Sequence, residues 1–154
     1  MEFLSMKDVL DFALSKEMAS VQFYRDISSR IQQSSTRALF DVLLKNESEH
    51  VETIRLEIEK LGYTVDSNVA EEPSGYQWKE QLETEDSVGE MSFAEALMLA
   101  IQKERAAFRL YTQLLGQNQS PEYEQILLEL AEEEMRHVLQ LEREYQSIMR
   151  PGNP

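Results

Sequence analysis

Cysteine is absent from all 154 residues. That gap excludes disulfides, thiolate zinc sites, iron–sulfur clusters and a rubredoxin-type iron site built from cysteine thiolates. Any metal must therefore be held by oxygen and nitrogen. Basic residues are scarce, with 15 Lys and Arg against 29 Asp and Glu, for a formal charge of −14. Nucleic acids and anionic membrane surfaces recruit concentrated Lys and Arg, so neither is expected as a partner. Long apolar runs are missing as well: no stretch approaches the ~18–20 residues needed to span a bilayer. The first residues, MEFLSMKDVLDF, lack the basic start and apolar run of a signal peptide. A soluble, cytoplasmic protein is the expectation. Histidine is nearly absent too, at two residues in the chain.

Both histidines are preceded three positions earlier by glutamate, as Glu47-x-x-His50 and Glu134-x-x-His137. Glu17 to Glu104, Glu47 to Glu134 and His50 to His137 are each a shift of 87 positions. Lys16, Tyr24, Leu43, Val51 and Glu57 match Lys103, Tyr111, Leu130, Val138 and Glu144 at the same shift. The chain thus repeats one lone Glu followed about 30 residues later by Glu-x-x-His, with no insertion between the copies. This is the ligand arithmetic of a two-metal carboxylate centre inside a four-helix bundle.

Helical signals surround these residues. Ser5-x-x-Asp8 resembles a capping box, and Ser92-x-x-Glu95 repeats it 87 positions on. Apolar residues follow each box at helical spacing: Val9, Leu10, Ala13 and Leu14 in the first copy, Leu97 and Ile101 in the second. Ser34 and Ser35 are candidate caps for a second helix, and Ser120 with Pro121 for a fourth. Gly62 and Gly116 are candidate stops, and Pro151 ends the last helix. The expected helices cover about 5–32, 35–61, 92–115 and 121–149, each roughly 40 Å long at 1.5 Å per residue. Short links pair them as two antiparallel hairpins. The 62–91 stretch is long enough to cross the bundle from end to end, and around Tyr76, Trp78 and Leu82 it forms either a short packed helix or a loop. A chain of this length can bury about 68–70% of its unfolded surface, so residues 1–154 are read as one all-α domain.

Within each Glu-x-x-His the two side chains lie about 5–6 Å apart on one helical face, so both reach the same ion. Glu17 falls among Leu10, Leu14, Val21 and Tyr24, and Glu104 among Leu97, Ile101, Phe108 and Tyr111. Each is a charged residue in an apolar stripe that normally excludes charge. Four converging carboxylates would repel one another and lose hydration unless cations cancelled them. Two divalent ions do so. Hard carboxylates with one imidazole per ion suit iron or manganese, with zinc possible in a purified sample. Glu47 and Glu134 are the expected bridges, Glu17 and Glu104 terminal, holding the ions about 3.5–4 Å apart. The other acidic residues, including Glu49, Glu52, Glu132 and Glu133, are read as a solvated face.

This pattern resembles the ferritin-like di-iron superfamily, most closely the erythrin domain of rubrerythrins together with bacterioferritin, over nearly the whole chain apart from the crossover. The resemblance implies a ferritin-like four-helix bundle with Glu17, Glu47, His50, Glu104, Glu134 and His137 as metal ligands. It places Tyr24 and Tyr111 where the family has tyrosines that hydrogen-bond ligands across the bundle; an ordinary core role is the alternative. It also pairs Asn46 with His137 and Glu133 with His50 as outer partners. Two departures matter. The chain has no rubredoxin domain, and the extra Glu that rubrerythrins carry after the third-helix ligand is Ala107 here, which gives a symmetric, bacterioferritin-like ligand set.

The implied activity is reduction of peroxide or dioxygen with oxidation of Fe(II), fed by an external donor such as a rubredoxin-like protein, in a homodimer. A ferroxidase serving iron storage is one alternative, disfavoured because ferritin cages generally use a short fifth helix and this chain stops at Pro154. A structural bundle with a relict metal site is the other.

Overall fold

In the computed structural model, residues 5–65, 92–117 and 121–150 are described. Four helices account for most of them: α1 (Met6–Ser28), α2 (Ser34–Lys60), α3 (Phe93–Gln117) and α4 (Pro121–Met149). No strand occurs among the described residues, and the fold is an all-α four-helix bundle built of α1·α2 and α3·α4 pairs.

Local chemistry explains most of the ends. Ser5 Oγ accepts from the Asp8 N–H at 3.2 Å and opens α1. At α3 the capping box is reciprocal: Ser92 Oγ accepts from Glu95 N–H at 3.1 Å, and Glu95 Oε1 accepts from Ser92 N–H at 3.4 Å. Pro121 occupies the first position of α4, where its missing N–H costs no hydrogen bond. Gly62, at φ +91°, closes α2. The Tyr63 N–H reaches Ile58 O at 3.4 Å and the Gly62 N–H reaches Glu59 O at 2.9 Å, the two bonds of a Schellman cap.

Three ends differ from the expected ones. α1 stops at Ser28 rather than near 32. The Arg30 N–H turns back to Ile27 O at 3.0 Å, and Ile31 goes into the core at 2% exposure. α2 is capped by Gln33 rather than by Ser34 or Ser35: its side-chain Oε1 accepts from Thr36 N–H at 2.8 Å and its carbonyl from Arg37 N–H at 3.0 Å. α3 runs through Gly116 to Gln117. Gly116 does not adopt the positive φ that would end a helix, which among the described residues only Gly62 does. Most of the 62–91 crossover, with Tyr76, Trp78 and Leu82, lies outside the described residues, as does Pro151.

Two compact units divide the chain. The first contains α1 and α2 from Phe40 onward. Ser28 donates to Asp41, Glu17 stands beside His50, and Lys7 Nζ lies 5.1 Å from the centre of the Tyr63 ring. Numbers falling along α1 meet numbers rising along α2, so the pair is antiparallel. Its core is the row Leu10, Leu14, Phe23, Ile27 on α1 with Phe40, Leu43, Ile54 and Ile58 on α2, each at most 2% exposed. Each such side chain contributes about 1.5–3 kcal/mol by leaving water.

The second unit contains α3, α4 and the short segment Ile31–Leu39. α4 begins four positions after α3 ends. Arg105 bridges to Glu142 across the pair, and Leu97, Ala100, Tyr111, Leu127, Val138 and Leu141 fill the interior. The first turn of α2 is tied into this unit, where Ser35 and Thr36 hydroxyls donate to Glu144 Oε2 at 2.7 and 2.9 Å.

Candidate metal centre

In the first unit, helical spacing sets Glu17 on the apolar face of α1, and Glu47 and His50 one turn apart on the facing side of α2. Glu17 and Glu47 are 1% and 0% exposed. Nδ1 of His50 lies 3.6 Å from Oε2 of Glu17 and 4.0 Å from Oε2 of Glu47. The three residues each offer a ligand atom within 4.8 Å of the others.

The second unit repeats the arrangement. Glu104 projects from α3, with Glu134 and His137 on α4, and all three are 1% exposed. Nδ1 of His137 lies 3.5 Å from Oε2 of Glu104, and the three again present ligand atoms within 4.8 Å of one another. Both histidines therefore turn the same ring nitrogen toward the lone glutamate.

These separations are longer than a hydrogen bond, about 2.7–3.2 Å. Ligand atoms bound to one ion at about 2.0–2.2 Å stand roughly 3–4 Å apart, depending on geometry. Two oxygens and one nitrogen at that spacing, all buried, form a donor set suited to a divalent cation. Burial sharpens the case, because an ionised carboxylate withdrawn from water costs several kcal/mol unless a positive charge compensates it.

Lys16 and Lys103, which directly precede Glu17 and Glu104, are buried at 1% and 3% exposure. Their repetition is visible in the sequence, but nothing in residue spacing announces that a lysine is enclosed. Lys16 Nζ lies 5.7 Å from the centre of the Phe12 ring, one turn earlier on α1, within cation–π range.

The tyrosines are also enclosed, Tyr24 at 1% and Tyr111 at 0% exposure. Tyr24 packs edge-on to Phe23 at 5.1 Å between ring centres and against Phe40 at 5.7 Å, so its ring is a core element whatever its hydroxyl does. Ala107 is buried and brings no ligand. Glu49, Glu52 and Glu132 face solvent. Glu133 accepts a hydrogen bond from Arg136 one turn along α4, and Asn46 is half-buried. No helix among the described residues is long and apolar enough to cross a membrane.

No family model and no curated protein matches the chain. Among solved structures it resembles an uncharacterized conserved protein of Magnetospirillum magnetotacticum MS-1, with a TM-score of 0.75 and 18% sequence identity, over 96% of this chain and 98% of that one. The likeness is one of fold, shared across nearly the whole length of both chains.

Proposed function

We propose that this chain is a di-metal carboxylate protein of the ferritin-like kind, working as a rubrerythrin-like oxidoreductase that reduces peroxide or dioxygen. One observation carries the reading. A buried Glu faces a Glu-x-x-His across a helix pair, and the whole arrangement recurs 87 positions later. In this reading each triad takes one iron ion, two per chain, with manganese or zinc able to take the same places. When bound, two Fe(II) ions supply the two electrons that, with two protons, convert one peroxide to two waters.

The protein's part is binding, orientation and exclusion of water. Glu17, Glu47 and His50 would hold one ion and Glu104, Glu134 and His137 the other. In each triad two buried carboxylates would balance the charge of one divalent cation, so that ion and ligands share an interior that would reject either alone. Leu14 and Ile101, one turn before the lone glutamates, are themselves buried at 1% and 4% exposure. The Tyr24 and Tyr111 hydroxyls, together with Asn46 and Glu133, are assigned to orienting the ligands, since such outer partners fix carboxylate and imidazole geometry. With no cysteine in the chain, electrons come from a separate donor such as a rubredoxin-like protein. A cytoplasmic homodimer is the setting proposed for this chemistry.

The test is anaerobic loading with Fe(II), metal analysis, then addition of peroxide or air with the absorbance followed in time. Two irons per chain and rapid oxidation, abolished in Glu47→Ala, are expected. Fewer than one ion bound per chain, or a Glu47→Ala protein that reacts as fast as the parent, overturns the reading.

A further inference from the structure

A repeat with the same ligand spacing in both copies leads one to expect two equivalent metal positions, yet the triads differ in their access to water. His50 keeps 16% of its side-chain surface exposed, whereas His137 keeps 1%. The distribution over the ring is informative. Nδ1 of His50, the nitrogen facing Glu17, is enclosed, so the exposed part is the remainder of the imidazole. Both ring nitrogens of His137 are enclosed. The valines that follow show the same trend, Val51 at 8% and Val138 at 2%.

The flanks of the two triads also differ. Beside Glu104, Arg105 reaches across to Glu142 on the paired helix and bridges α3 to α4. The equivalent positions of the first unit are Met18 and Arg55, which cannot form that bridge. The position one turn after the lone Glu is Val21 in the first unit and the larger Phe108 in the second.

We propose that the two triads are kinetically distinct metal sites: Glu17, Glu47 and His50 exchange their ion with solvent, and Glu104, Glu134 and His137 retain theirs. The inference rests on the reading that each triad holds an ion. A ligand whose far edge is already in water can leave its ion by side-chain rotation alone. His137 is released only when the α3·α4 pair opens locally, and such openings are rarer than side-chain motion. The first triad is then where a metal enters and is replaced.

The experiment uses the full chain loaded with Zn(II), metal analysis, and release into excess colorimetric chelator. Two zinc ions per chain leaving in two phases of equal amplitude, with rates about tenfold or more apart, are expected. His50→Ala removes the fast phase and leaves the slow one. In the metal-free protein, diethyl pyrocarbonate followed by peptide mass analysis modifies His50 about tenfold faster than His137, a measurement that needs no variant. Fewer than two zinc ions bound at the start overturns the di-metal reading and this proposal with it. Two ions that leave in one phase, equal modification of the two histidines, or loss of the slow phase in His50→Ala overturns this proposal alone.

Discussion

Oε2 of Glu104 stands 3.5 Å from Nδ1 of His137, and Oε2 of Glu17 stands 3.6 Å from Nδ1 of His50. The 87-residue repeat is therefore geometric as well as textual. The same nitrogen meets the same carboxylate oxygen on two separate helix pairs, and each pairing places a charged group where an apolar residue would otherwise fill the core.

Replacing Glu104 by Gln removes a buried negative charge while keeping the shape of the side chain. Without metal the variant should be at least as stable as the parent, because the cost of burying the carboxylate disappears. With metal it should lose much of its stabilisation, which for a ligand at 100 times its dissociation constant is about 2.7 kcal/mol. Melting curves with and without Mn(II) check both. An unchanged metal-induced rise in melting temperature would remove Glu104 from the ligand set.

Tyr24 allows ring and hydroxyl to be separated. Tyr24→Ala leaves a hole beside Phe23 and Phe40 and should cost about 3–5 kcal/mol. Tyr24→Phe keeps the packing, and if the hydroxyl orients a metal ligand it should weaken metal binding about 10–100-fold with little loss of fold stability. Metal titration of a folded Tyr24→Phe protein that matches the parent would leave Tyr24 a packing residue only.

Thr36 is fully buried and donates to Glu144. Glu144→Ala strands that hydroxyl in the interior and should destabilise by about 1–3 kcal/mol. Adding Thr36→Val should restore part of the loss, since the stranded polar group is gone. Urea unfolding of the two single variants and the double variant measures the coupling; strictly additive effects would mean the bond contributes nothing of its own.

Gly62 has φ +91° and open space where a Cβ would stand. Gly62→Ala therefore meets no clash, only the backbone penalty of a left-handed conformation, about 1–2 kcal/mol. Equilibrium denaturation should show a loss of that size with an unchanged slope. A neutral result would indicate that α2 can end by another route.

Much of this architecture is legible in the residues themselves. Period 3.6 exposes four helices, and the boxes at Ser5 and Ser92 mark two starts because capping is a local affair settled within four residues. The end of α1 is not legible, since it depends on Ile31 being drawn into the core and on Gln33, an unusual cap, finding the Thr36 N–H. Gly116 misleads for a related reason: glycine permits a stop but does not impose one, and the helix continues through it. At the centre, the lone glutamates stand out as charges in apolar stripes. The enclosure of Lys16 and Lys103 does not, because a long aliphatic stem lets lysine occupy either environment. The unequal exposure of His50 and His137 is hidden by the repeat itself, which makes the two motifs read alike while the neighbours that cover them differ.

The unit boundary falls inside α2, after Leu39. The repeat suggests cutting the chain within the crossover to obtain two matching halves, but the unit formed by α3 and α4 also includes Ile31–Leu39 from the other side of that cut. A C-terminal fragment would lack the Ser35 and Thr36 partners of Glu144, and an N-terminal fragment would carry a helix whose first turn had lost its seat.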